Sequence, residues 1–102
     1  MSDAPVLAYA PDLMDRSRIA AALPDAVFVR SPQDLVGVTA RVVLVDLGRA
    51  GVLEIIPALS APVIAFGSHV DEELLDAARA AGCAEVLPRS RFFHRIAGLA
   101  GG

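Results

Sequence analysis

The sequence predicts an α/β domain, a three-layer sandwich around a five-stranded parallel sheet, and three observations carry that prediction. Short apolar runs alternate with longer segments of helical period along all 102 residues, the pattern of repeated βα units. The run Val42-Val43-Leu44-Val45 is apolar at every position rather than at every second one, as a strand covered on both faces requires. Proline, aspartate and glycine fall between the runs, where turns and helix ends need them. A chain of this length makes one domain, residues 1–102, able to bury roughly two thirds of its unfolded surface.

Each element has a local reason. Val6 to Ala10 is a first strand, and Pro11-Asp12 opens a helix over Leu13 to Leu23. Asp12 is its N-cap, and Asp15 lies in its first turn, where a carboxylate meets the positive end of the helix dipole. Pro24-Asp25 closes that helix, and Ala26 to Val29 is a second strand. Ser31-Pro32 supplies the N-cap and first residue of a short helix through Val36, stopped by Gly37. Arg41 to Asp46 is the third strand, Val52 to Leu59 the third helix and Pro62 to Phe66 the fourth strand. Asp71-Glu72-Glu73 opens a fourth helix whose Leu74, Leu75, Ala78 and Ala81 share one face, with Gly82 at its C′ position. Glu85 to Leu87 is a brief fifth strand, and Arg91 to Leu99 a closing helix before a loose Gly101-Gly102 end.

Composition removes several function classes. A formal net charge of -3 speaks against general affinity for nucleic acid, which rests on neutralising phosphates with cations. All nine cations are arginine, so there is no lysine for a Schiff base or a P-loop. The single Cys83 forms no internal disulfide and suits a reducing, cytoplasmic setting. His69, His94 and Cys83 are far apart without ligand-like spacing, so no metal site is expected from them, and Cys83 reads as a small buried residue beside a helix end. No apolar stretch approaches the roughly 18 residues that span a bilayer, and the start Met1 to Pro5 has no basic segment, so no membrane role is expected.

The right-handed crossover rule leaves few ways to wind five βα units, and the flavodoxin-like order 2-1-3-4-5 is the expected one. That order brings the loops after the first and third strands together, and with them Asp12 and Asp46. The loops after the fourth and fifth strands bring Ser68 and Arg89 to the same mouth. Asp46, ending a buried strand, is the centre of this candidate pocket, because open α/β sheets bind ligands beyond the carboxyl ends of their strands.

These residues resemble the receiver domain of two-component response regulators. Val43-Leu44-Val45-Asp46 is similar to the strand carrying that family's phospho-accepting aspartate, and Pro62-Val63-Ile64-Ala65-Phe66-Gly67-Ser68 with His69 to Glu73 resembles its fourth strand and the start of its fourth helix. Ala81-Gly82-Cys83-Ala84-Glu85-Val86-Leu87-Pro88-Arg89 resembles the turn into its fifth strand. The resemblance implies a signalling domain with Asp46 at the acceptor position. The chemical positions depart from the family. Its two consecutive Mg²⁺-binding acids after the first strand fall on Ala10 and Pro11, with Asp12 one place later. Its Ser/Thr after the fourth strand falls on Gly67, beside Ser68, and its lysine and following proline fall on Arg89 and Ser90. The loop after Asp46 is shorter and lacks the usual Met-Pro and Asp-Gly signals. A pseudo-receiver is therefore expected, a non-enzymatic, stand-alone signalling or interaction module without a cofactor. Two alternatives stand beside it: an atypical phospho-accepting response regulator using Asp46 with weakly held Mg²⁺, and a small-molecule binder at the strand-end crevice, although no Gly-rich or Ser/Thr-rich phosphate loop is present. Asp46 has a plainer role as the strand-closing carboxylate paired with Arg89, and Asp12 as an N-cap only.

The segment Arg89-Ser90-Arg91-Phe92-Phe93-His94-Arg95 joins two aromatics to three arginines. Neighbouring helical residues point about 100° apart, so one of Phe92 and Phe93 is expected near the surface unless a tilted helix buries both. Arg91, Phe92, Phe93 and Arg95 are thus the candidate interface. The acidic fourth helix, with Asp71, Glu72, Glu73 and Asp76, complements them in charge. A protein partner or a homodimer through the face of fourth helix, fifth strand and fifth helix is the expected association.

Overall fold

The computed structural model describes residues 4–101, so the Met1–Asp3 part of the start and Gly102 lie outside the described residues. β1 (Val6–Tyr9) leads into α1 (Leu13–Ala22), β2 (Val27–Phe28) and a 3-10 turn over Pro32–Leu35. β3 (Val42–Asp46) is followed by α2 (Val52–Ile55), which tightens into a second 3-10 turn over Ile56–Ala58. β4 (Val63–Gly67), α3 (Glu72–Ala80), β5 (Glu85–Pro88) and α4 (Arg89–Gly101) complete the chain. All strand pairings are parallel, and the sheet order is β2-β1-β3-β4-β5.

The sheet is buried on both sides, as the unbroken apolar run at β3 requires. One face carries Val6, Ala8, Val42, Leu44, Ile64, Phe66 and Leu87 against Ile19 of α1 and Phe92, Phe93 and Ile96 of α4. The other carries Leu7, Val43, Val45, Val63, Ala65 and Val86 against Leu35, Val52, Ile56, Leu75 and Ala78. Alternate residues of each strand supply the two faces.

Several expectations are corrected in detail. The second helix is a single 3-10 turn, because a capping box between Ser31 and Asp34 and the proline at 32 start it and Gly37, at φ +78°, lies just beyond its end. The third helix holds α geometry for one turn only, since Pro57 has no N–H to bond back and its ring crowds the preceding turn. The closing helix begins at Arg89, directly on Pro88 of β5, and continues to Gly101 rather than fraying at Leu99. Gly82 takes φ +105°, a backbone conformation that costs glycine little, and its N–H bonds Arg79 O at the end of α3.

Neither aromatic of the closing segment is at the surface, so of the two readings the one in which the helix buries both rings holds, and Phe92 and Phe93 leave the candidate interface. Phe92 is fully buried and Phe93 is 8% exposed. Phe92 stacks on Phe66 with centroids 4.4 Å apart, and Phe93 meets Phe66 edge-on at 5.4 Å. The guanidinium of Arg18, from α1, covers Phe93 at 4.2 Å. The two rings diverge as helical geometry demands, but one enters the sheet face and the other the groove between α1 and α4, so both find cover. Among the described residues, no helix is long and apolar enough to cross a membrane.

Candidate functional site

Asp46 ends β3 at 3% exposure, held there by its strand's pairing with Phe66 of β4. Its Oδ1 accepts the Gly48 N–H at 2.9 Å, closing the loop back on the strand. Its Oδ2 faces two guanidinium groups, Nε of Arg49 at 3.4 Å and Nη2 of Arg89 at 3.6 Å. Arg89 reaches the site because α4 starts with no intervening loop after β5. Its Nη1 donates to Oδ1 of Asp15 at 2.5 Å, and its guanidinium lies 5.3 Å from the centroid of Phe66. One arginine therefore bridges two buried carboxylates, Asp15 on α1 and Asp46 on β3.

The Asp15 hydrogen bond pushes the Arg89 pKa above its ordinary value, partial burial opposes this, and the charges of Asp15, Asp46 and Asp12 add to the rise. Arg89 is a permanent cation. Asp15 is itself 3% exposed, and its Oδ2 is buried without a hydrogen-bond partner. Asp12 caps α1, its Oδ1 accepting the Asp15 N–H at 3.0 Å. We expect Asp12→Ala to cost about 1 kcal/mol of stability and Asp12→Asn to be nearly neutral, since asparagine caps as well as aspartate. Urea unfolding of both variants checks this, and an equal loss in the two would assign the effect to charge rather than to the cap.

Ser68 is exposed, and its Oγ accepts the Val70 N–H at 3.4 Å in a local turn. Among the described residues it makes no bond to Asp46 or Arg89. At Gly67 an added Cβ would lie 3.3 Å from Leu75 Cδ2 and 3.5 Å from Leu47 Cβ, so a larger side chain there requires Leu75 to shift by a few tenths of an ångström. Arg91 and Arg95 line a shallow open recess on α4 with Ser90 and His94, and Arg95 pairs with Glu85 at 3.2 Å. Phe92 and Phe93 do not contribute to that surface. Cys83 is half-buried just beyond α3, and burial raises its thiol pKa.

The structure thus joins Asp46 to Arg89 and places Asp12 one helical turn before Asp15, the other carboxylate that Arg89 pairs with. Sequence reasoning missed Asp15 and Arg49 as site residues. Asp15 read as a dipole-compensating residue, and the only local signal for more was its three-residue spacing from Asp12.

No protein-family model matches the chain, and no curated protein matches it in sequence. Solved structures do match. A response regulator from Hahella chejuensis superposes with a TM-score of 0.80 at 17% identity, over 97% of this chain and 93% of its own. The chain has the receiver fold. A phosphorylated cyanobacterial phytochrome response regulator, RcpA, gives a TM-score of 0.77 at 13% identity over 96% of this chain and 91% of its own. A response regulator from Thermotoga maritima gives 0.71 at 14% identity over 97% and 99%. On the receiver fold, Asp46 stands at the carboxyl end of the central strand and Arg89 where the chain leaves the fifth.

Proposed function

We propose that the chain is a receiver-type signalling or protein-interaction module that works without phosphoryl transfer, metal or catalytic turnover. The observation that supports this reading is the Arg89 bridge between Asp15 and Asp46. Phosphoryl transfer to a carboxylate needs a free oxygen nucleophile and a cation to neutralise the charge that gathers on the transferring group, a task Mg²⁺ performs with several oxygen ligands in near-octahedral geometry. The donors present do not fit that ion. Asp12 and Asp46 each commit one oxygen to a backbone N–H, and Asp46 Oδ2 and Asp15 Oδ1 face guanidinium groups. Within that bridge, Asp15 Oδ2 is the buried oxygen left without a partner, too little for a hexacoordinate cation. An arginine fixed between α1 and β3 instead holds the domain in one state.

Such a module acts through contact. α3 and α4 flank β5 from opposite faces of the sheet, α3 carrying Asp71 at its cap with Glu72, Glu73 and Asp76 and α4 carrying Arg91, His94 and Arg95, a division of charge suited to a protein partner or a second copy. With one thiol and no disulfide, a cytoplasmic setting fits the reading.

The test is amide-resolved NMR with Mg²⁺ and then beryllofluoride, together with intact-mass analysis after acetyl phosphate treatment, on the native chain and Asp46→Asn. The expected result is no phosphoryl adduct and no shift spreading from Asp46, Asp15 and Arg89 into β5. A Mg²⁺-dependent adduct that Asp46→Asn abolishes would replace this reading by a phospho-accepting switch.

A further inference from the structure

A second site lies beyond the ends of β1 and β2, in a cleft of about 430 Å³ lined by Ala10, Pro11, Arg16, Phe28, Val29 and Arg30. It shares no residue with the Asp15–Arg89–Asp46 cluster. We propose that this cleft binds a small molecule carrying a phosphate monoester, gripped between the guanidinium groups of Arg16 and Arg30.

Charge accounting is the first argument. Arg49, Arg79, Arg89 and Arg95 each pair with a carboxylate. Arg16 and Arg30 do not, among the described residues, although the chain carries a net charge of -3. The acids near them in sequence have other partners: Asp15, beside Arg16, pairs with Arg89, Asp12 turns Oδ1 to the Asp15 N–H, and Asp34 turns Oδ2 to the Ser31 N–H at 3.2 Å. Two uncompensated cations over one concave surface concentrate positive potential there.

Preorganisation is the second. The Arg16 guanidinium lies 4.9 Å from the centroid of Phe28, which orients its planar fork, and the Arg16 N–H is anchored on Asp12 O at 2.9 Å. Arg30 follows Val29, whose N–H bonds Ala8 O at 3.0 Å and so pins the strand end from which Arg30 projects. Planar guanidinium forks match the oxygens of a phosphate better than a point charge would, and a monoester carrying roughly -1.5 to -2 charge at neutral pH suits two cations.

Size and position agree. The volume falls within the roughly 300–1,000 Å³ usual for small-molecule sites. The carboxyl edge of a parallel sheet is where such folds bind ligands. Pro11 and Val29 offer an apolar surface for the body of the ester. The arginines here do the work that a glycine-rich phosphate loop does elsewhere.

The test titrates isotopically labelled protein with inorganic phosphate, AMP, adenosine and succinate, following amide shifts. Saturable shifts at Ala10, Arg16, Val29 and Arg30 are expected with AMP and, more weakly, with phosphate, and none with adenosine. Arg30→Gln, at an exposed position that leaves the core untouched, is expected to weaken AMP binding at least about tenfold, as is Arg16→Gln, with native-like spectra. Asp46→Asn should bind AMP like the native chain, which keeps this result separate from the fate of the phosphorylation reading. The proposal is overturned by absence of saturable shifts, by shifts centred on Arg89, Arg91 or Arg95, by unchanged affinity in Arg30→Gln, or by succinate binding as tightly as AMP.

Discussion

Phe92→Ala is expected to lower stability by about 3–5 kcal/mol, the range for deleting a fully buried aromatic ring. Phe92 is at 0% exposure, stacked on Phe66 at 4.4 Å and edge-on to Phe93 at 5.0 Å, so truncation leaves a void beside two rings that lose their contacts to it. A domain of this size has a total stability on the order of 5–15 kcal/mol. The variant therefore has a melting temperature lower by more than about 12 °C, or does not fold at 37 °C. Phe92→Leu, which keeps most of the volume, is expected to cost about half as much or less. Thermal and urea unfolding followed by circular dichroism measure both. A loss below about 1 kcal/mol for the alanine variant would return Phe92 to the surface and to the list of interface candidates.

Arg89→Ala is expected to cost about 2–4 kcal/mol. Removing one partner of a buried pair costs roughly 3–5 kcal/mol, because a charge is left without compensation. The figure is discounted here because the Arg89 side chain is 43% exposed and Arg49 stays beside Asp46. In the native chain the Arg89 pKa is raised, so its contribution is fully present below the ordinary arginine value and is lost only as pH rises through the raised one, beyond the working range. Urea midpoints of the variant and the native chain at neutral pH measure the loss, and a deficit below about 1 kcal/mol would show that the bridge contributes little to the fold. Arg89→Lys keeps the charge without the fork that spans both acids, and should fall between native and alanine.

The helix caps were legible because they are local: Asp12 and Asp71 each sit three residues before the N–H their side chains accept. The short second helix was legible as a start signal at Ser31-Pro32 but not as a 3-10 turn, because hydrogen-bond spacing within so few residues depends on what packs against Leu35. The Phe92–Phe93 pair shows the opposite limit. The angle between the side chains follows from helix geometry, yet their burial depends on the groove that α1 makes and on Arg18 lying across it.

What the amino-acid sequence determined by itself was the alternation of strands and helices, the doubly covered centre at Val42–Asp46 and the parallel order built from them, since periodicity and turn chemistry act over a few residues and crossover handedness does the rest. What the tertiary structure alone decided was that Asp15 joins Arg89 and Asp46. Arg89 and Asp15 are 74 residues apart in the chain, and no local pattern marks them as partners. They meet because α1 and α4 pack on the same face of one sheet, which puts the Arg89 guanidinium between two buried carboxylates whose charge it balances.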